Sequence, residues 1–320
     1  MRDDETQVDV PQPAHPTQRK ECLPGGSSET AEDLAAEQER IDAILRSQSY
    51  KTAIEDNEFL NGWDARGVRL QLDYLKPELS MKRHGIQHTI VVFGGTRISE
   101  RHKSDKTVAE LEARLASGDS TPELQRKIDV ARRIRDKSHY YDVAREFSNL
   151  VAQCGKGPQD SRLVVMTGGG PGIMEAANRG ACESGAETVG LNITLPLEQM
   201  PNPYITPELC FQFNYFALRK MHFMLRAKAL VAFPGGYGTL DELFETLTLI
   251  QTRKISPLPV ILVGEDFWRR AMDIDFLVDE GVIDLEDRDL FWYAETAEEL
   301  WSSINLWYQR AGESLLPDFT

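Results

Sequence analysis

Glycines, a threonine, two basic residues and a carboxylate cluster in one stretch of this chain in a pattern that could do phosphate chemistry. Pro234-Gly235-Gly236-Tyr237-Gly238-Thr239 is a glycine-rich turn, Arg219-Lys220 precedes it, and Glu242 follows it. Glycines let main-chain N–H groups come close to a ligand. A glycine turn that opens a helix aims unused N–H groups outward and so favours an anion. The helix-end field contributes only about 0.3–1 kcal/mol at an exposed site, so a phosphate also needs donors, a hydroxyl and a cation. Gly235, Gly236, Gly238 and Thr239 can supply donors and the hydroxyl. Arg219 and Lys220 carry positive charge. A purely structural explanation competes. Thr239-Leu240-Asp241-Glu242 fits a capping box, with Thr239 capping a helix and Glu242 folding back on its start.

Two further glycine turns carry candidate ligand contacts. Phe93-Gly94-Gly95-Thr96-Arg97 places Arg97 behind a glycine pair, where it could reach a phosphate or a base or simply lie at the surface. Gly168-Gly169-Gly170-Pro171-Gly172 is followed by Glu175. Glu175 could accept hydrogen bonds from ribose hydroxyls, or merely favour the positive end of a helix. His222, one turn beyond Arg219, reads as packing. The pattern GxxxxGK[ST] is absent, which argues against a P-loop nucleotidase. The dinucleotide fingerprint also fails, because Ile173 stands at its third glycine, and the strand at 188–193 ends in no ribose-binding acid.

The elements that must position these residues alternate. Apolar runs at 89–93, 163–166, 188–193, 229–233 and 259–263 read as buried parallel strands, with a short one at 210–213. Helices are expected over 31–47, 52–75, 106–117, 122–136, 139–153, 215–226, 239–252, 266–279 and 296–310, with a further one from the glycine triplet to about 184. In the second, Phe59, Trp63, Leu70 and Tyr74 fall roughly on one face, for packing on the main domain or on another subunit. Strands alternating with helices imply an α/β fold: a Rossmann-like, doubly wound parallel sheet with helices on both faces, plus an N-terminal helical extension. Ligands of such sheets sit outside the carboxyl ends of the strands, where all three glycine turns fall. The expected organisation is a disordered acidic, Pro-rich N-terminus (1–30), a helical extension (31–86) and a nucleotide-binding catalytic domain (87–320).

Composition narrows the partners. The 320 residues carry a net charge of −15, but unevenly. Residues 1–60 hold 6 Lys/Arg against 14 Asp/Glu, and residues 264–320 hold 4 against 15, leaving the middle slightly basic. Acidic ends disfavour nonspecific nucleic-acid binding, while the middle can still hold a small anion. No apolar run reaches the roughly 18–20 residues of a membrane span. The acidic start Met1-Arg2-Asp3-Asp4-Glu5 lacks the form of a secretory signal. Four scattered cysteines and no CxxC suggest neither a zinc site nor a disulfide framework. The chain is expected to be cytoplasmic, free of metal and cofactor, and without nucleic-acid or membrane partners.

Taken together, Phe216-Ala217-Leu218-Arg219-Lys220 and Pro234-Gly235-Gly236-Tyr237-Gly238-Thr239-Leu240-Asp241-Glu242 resemble the LOG ("Lonely Guy") family of phosphoribohydrolases, long mislabelled as lysine decarboxylases. The turns at Gly94-Gly95 and Gly168-Gly169-Gly170 support the resemblance, which spans about residues 88–280. It implies cleavage of the N-glycosidic bond of a nucleoside 5′-monophosphate, giving free base and ribose 5-phosphate; AMP and cytokinin nucleotides are both substrates within the family. It also implies catalytic roles for Arg219 and Glu242 and phosphate binding by Gly235, Gly236, Gly238 and Thr239. The turns at 94–95 and 168–170 would line ribose and base, and a homodimer or higher homo-oligomer is expected. The acidic extension, an inserted helical stretch around 100–140, and Glu175 in place of glycine depart from the short plant-like form. They are similar to the longer bacterial branch. Two rivals are a molybdenum-cofactor or nucleotide carrier of the same fold and a DNA-processing protein. A pyridoxal phosphate decarboxylase would need an activated lysine, and no lysine here stands in a recognisable context for one.

Overall fold

A computed structural model describes residues 11–18, 31–194 and 200–316. The disorder expected over 1–30 lies outside the described residues, apart from an exposed stretch at 11–18. The chain divides into two compact units, Met1–Arg66 and Gly67–Thr320.

The described residues of the first unit are mainly helical and largely exposed. It holds α1 (Ala31–Arg46) and the short α2 (Asn57–Asn61). The single helix expected over 52–75 is instead two. Asp56 caps α2 by accepting from the N–H groups of Glu58 and Phe59. Gly62 then adopts extended backbone, and α3 (Arg66–Arg83) starts afresh and runs through the buried Pro77. Phe59 and Trp63 therefore do not share a helix face with Leu70 and Tyr74. The first two are exposed, whereas Tyr74 stacks on His222 at 5.4 Å between ring centroids.

The second unit is a seven-stranded, all-parallel sheet: β1 (His88–Phe93), β2 (Leu163–Thr167), β3 (Thr188–Ile193), β4 (Cys210–Phe213), β5 (Ala227–Ala232), β6 (Val260–Val263) and β7 (Trp292–Ala294). The spatial order is β4-β3-β2-β1-β5-β6-β7. The chain builds outward from β1 on one side, crosses back, and builds outward on the other. Its reversal point lies between β1 and β5. This is the doubly wound Rossmann-like architecture with an N-terminal helical extension. The β7 strand, three residues long, escapes sequence reading because so short a run carries no period.

Alternation along the strands feeds two cores. Ile90, Val92, Val165 and Val231 face one side, where α6 (His139–Ala152), α7 (Ile173–Glu183) and α12 (Ala297–Ala311) cover them. Val91, Phe93, Met166, Leu191 and Leu230 face the other, covered by side chains from α3, α8 (Phe216–Leu225) and α9 (Tyr237–Gln251). Because both faces are buried, the strands read as continuous apolar runs. Between β1 and α6 the chain inserts the helices α4 (Arg101–Ala116) and α5 (Pro122–Asp136). The helix expected over 266–279 is two, α10 (Glu265–Ala271) and α11 (Ile274–Asp279), parted by extended backbone at Met272, after which Asp273 caps the new start.

Candidate functional site

The site forms where the strands end. Beyond β1 and β5, the Phe233 N–H donates to the Phe93 carbonyl and the Gly95 N–H donates to the Pro234 carbonyl, both at 2.9 Å. The third turn joins them: the Ile173 N–H donates to the Gly95 carbonyl at 3.3 Å. Gly172, at φ +74°, comes so close to that carbonyl that any Cβ would collide with it. The three glycine turns are thus tied together at the reversal point, where a doubly wound sheet offers its ligand crevice.

The turn at 234–239 runs directly into α9. Gly236 is the residue before the helix and provides no side-chain cap, while Tyr237 and Gly238 form the first turn. N–H groups in a first turn are not used by the helix itself. The capping-box explanation fails here, because α9 starts two residues before Thr239. Thr239 is instead buried inside the first turn, pressed against Gly235 so closely that a Cβ on Gly235 would strike its hydroxyl. Gly236 and Gly238 have open space where a side chain would stand.

Glu242 lies one turn beyond Thr239 on the inward face of α9, with Leu243 and Thr246. It is 5% exposed, and no side chain among the described residues donates a hydrogen bond to its carboxylate. Burial pushes its pKa up to about 7, only partly offset by the positive charges of Arg219 and Lys220. Its neighbours Asp241 and Glu245 lie toward the outer face, so helical phase singles out one acid of three.

Arg219 comes from α8. Its Nε donates to the Leu191 carbonyl at the end of β3, 2.7 Å away. Its guanidinium carbon stands 5.1 Å over the Phe223 ring, and Nη2 lies 2.6 Å from where a Cβ on Gly168 would be. Burial lowers its pKa, with Glu242 opposing, but a guanidinium remains protonated throughout the working range. Arg219 therefore crosses the ends of β2 and β3 and acts electrostatically on Glu242 at the end of β5.

The remaining candidates are placed differently. Lys220 donates to Asp241 at 2.7 Å and pairs with Glu245 at 3.1 Å on the outer side of α9. Burial works against its charge, but these two acids hold its pKa above the usual lysine range. Glu175 accepts from the Tyr141 hydroxyl at 3.0 Å and faces Lys103 at 3.7 Å, so it links α7 to α6 and to the inserted α4. Arg97 is exposed and lines a groove between α4 and α5. His222 is fully buried against Tyr74 and Phe213, a packing residue beside Glu78 at 3.4 Å.

Sequence reasoning missed the polar scaffold beneath the glycine triplet. Asn178, inside α7, accepts from Thr167 at 2.7 Å and donates to Thr188 at 2.6 Å. Asn202 donates to Asn178 at 2.9 Å and to the Gly170 carbonyl at 3.1 Å, and its own N–H donates to the Gly169 carbonyl. The Thr167 hydroxyl accepts from the Gly169 N–H. Asn192, at the end of β3, packs its side-chain oxygen against Gly169, at φ +73°, where no Cβ would fit. The signal available was Asn178 on the apolar face of a helix, since a buried amide must find partners.

The geometry defines a doubly wound protein with its glycine turns gathered at the ligand end of the sheet, an anion-ready helix start and a buried glutamate acted on by the charge of a half-buried arginine. A family model described as "possible lysine decarboxylase" matches residues 174–304. A cytokinin riboside 5′-monophosphate phosphoribohydrolase of Arabidopsis thaliana is 32% identical over 171 residues, covering 51% of this chain and 74% of the relative. A rice (Oryza sativa subsp. japonica) enzyme of the same name is 31% identical over 169 residues, covering 51% and 65%. The chain belongs to the LOG family of phosphoribohydrolases. Among solved structures, a structural-genomics target aligns with 21% identity over 68% of this chain and 99% of its own, at a TM-score of 0.41. The molybdenum cofactor carrier protein of Chlamydomonas reinhardtii aligns with 18% identity over 70% and 99%, also at 0.41.

Proposed function

We propose that this protein hydrolyses the N-glycosidic bond of a nucleoside 5′-monophosphate, AMP or an N6-substituted (cytokinin) relative, to free base and ribose 5-phosphate. The observation that carries this reading is the buried Glu242, poised near neutrality beside Arg219, one helical turn below the Gly235–Thr239 turn. The phosphate docks on the first turn of α9, against the N–H groups of Tyr237 and Gly238 and the Thr239 hydroxyl. That places the sugar over the inward face, where Glu242 lies.

Breaking the bond between C1′ and the base develops positive charge on the sugar, as in glycoside hydrolysis. A carboxylate close by stabilises that charge and takes the proton of the attacking water. The base leaves with the bonding electron pair and takes up a proton. A pKa near the working pH suits such a group. Arg219 orients the substrate and, through its charge, favours the ionised form of Glu242. The glycine triplet, held by Asn178 and Asn202, lines the sugar and base side.

The setting is proposed as cytoplasmic; among the described residues, no helix is long and apolar enough to cross a membrane. A homodimer is proposed as well. Phe216, Met221, Leu225, Tyr237 and Phe244 are exposed apolar side chains on α8 and α9, of the kind that an interface covers. Light scattering on the purified chain tests this.

The function is tested by a panel of purine and pyrimidine nucleoside monophosphates, following ribose 5-phosphate release. Turnover of at least one supports hydrolysis. Tight nucleotide or pterin binding without release would show a carrier instead.

A further inference from the structure

We infer that the groove between α4 and α5 is a second ligand site, for a small anion with an apolar body. The groove encloses about 630 Å³, within the roughly 300–1,000 Å³ typical of small-molecule pockets. Its walls are aliphatic: Leu111 from α4, and Val130, Ala131 and Ile134 from α5. Ser99 and Ser104 lie at its base and satisfy each other at 3.1 Å.

Its rim is cationic. Arg97 and Arg126 both line the groove, both are exposed, and neither has an ion-pair partner among the described residues. The one acid on the rim, Glu123, is engaged by Lys127 at 2.6 Å. An apolar cavity with two uncommitted guanidinium groups at its mouth matches a carboxylate, sulfonate or phosphate head on a ring or branched chain. A neutral apolar molecule would leave the charges unused, and a bare anion would leave the walls unfilled.

The groove is not the nucleotide crevice. The crevice is built by the turns after β1, β2 and β5, whereas the groove is walled by the inserted helices. Arg97 and Ser99 follow the Gly94-Gly95 turn in the chain, but both line the groove. The inference rests on the groove's own lining and stands whether or not the crevice hydrolyses a nucleotide.

The test uses the full-length chain and the dye 8-anilinonaphthalene-1-sulfonate, an anion with an apolar body, read by fluorescence titration. One saturable site per chain is expected. Arg126→Glu should weaken binding by about tenfold or more, the cost of turning a charge-assisted contact into repulsion. Val130→Trp should abolish the site by filling it. The neutral dye N-phenyl-1-naphthylamine should bind at least about tenfold more weakly than the anion. Leu79→Ser, on the exposed face of α3, should leave the titration unchanged. If Val130→Trp does not fold by circular dichroism, Arg126→Glu and the neutral dye decide. Unchanged affinity in Arg126→Glu, or equal affinity for the two dyes, would overturn the inference.

Discussion

Arg219 occupies the space that a side chain on Gly168 would need: its Nη2 stands 2.6 Å from the position of a Gly168 Cβ. The second glycine turn and the arginine of α8 are therefore fitted to one another. Gly168→Ala should push the guanidinium off the Leu191 carbonyl. Because the obstacle is the end of a long side chain, the fold should lose less than about 1.5 kcal/mol. Activity should fall by about tenfold or more, since a displaced positioning group costs far more in rate than in stability. Parallel melting curves and kcat/KM measurements check this.

Glu242 carries a stability prediction with a definite sign. Its folded pKa, raised to about 7 from 4.5, means that the folded state resists ionisation. The stabilisation from its neutral form is present at low pH and is lost as pH rises from about 4.5 through 7. Replacing it by the neutral Gln removes this penalty. Glu242→Gln should therefore be more stable than wild type at pH 8, by about 3 kcal/mol, and nearly equal to it at pH 4.5. Urea unfolding at the two pH values separates these outcomes.

Arg219 and Lys220 are adjacent but face different partners. Lys220 is occupied by Asp241 and Glu245, at 2.7 and 3.1 Å. Lys220→Ala should reduce kcat/KM by less than about tenfold, as expected for a partly exposed ion pair acting at a distance. Arg219→Ala should reduce it by about a hundredfold or more, because a half-buried charge that acts on the reacting carboxylate is removed. Equal losses would show that Lys220 contacts the substrate.

The asparagine scaffold predicts a stability loss without any contact to the reacting atoms. Asn178→Ala leaves Thr167, Thr188 and Asn202 short of a partner in a buried setting. The cost should be about 2–4 kcal/mol, set by unsatisfied polar groups and a small cavity. Chemical denaturation measures it directly.

Much of this architecture was legible in the sequence because its strands are buried on both faces and end in glycine. The runs at 89–93, 163–166 and 229–233 announced themselves by continuous apolar character, and the doubly wound class followed from their alternation with helices. The link between Arg219 and Glu242 was legible only through the motif, since 22 residues of chain lie between them. Local spacing suggested that Thr239 capped the helix that Glu242 belongs to. It could not reveal that α9 starts two residues earlier, because Gly236 begins the helix by backbone geometry alone. Nor could it show that Asp241 and Glu245 hold Lys220 or that Glu175 joins Tyr141, because both depend on which helix packs alongside. The break at Gly62 was hidden by the apolar pattern that runs across it.

The most direct measurement is ribose 5-phosphate release by the wild-type chain and by Glu242→Gln, each at saturating nucleoside monophosphate across pH 5–9. Wild type should turn over at least one nucleotide, with kcat rising through the region of pH 7 as Glu242 ionises. Glu242→Gln should bind the same nucleotide and lose about 10²–10⁴-fold in kcat, the usual contribution of an acid–base group. Glu242→Gln turning over at the wild-type rate, or a wild-type chain that binds nucleotides and cleaves none, would contradict the account.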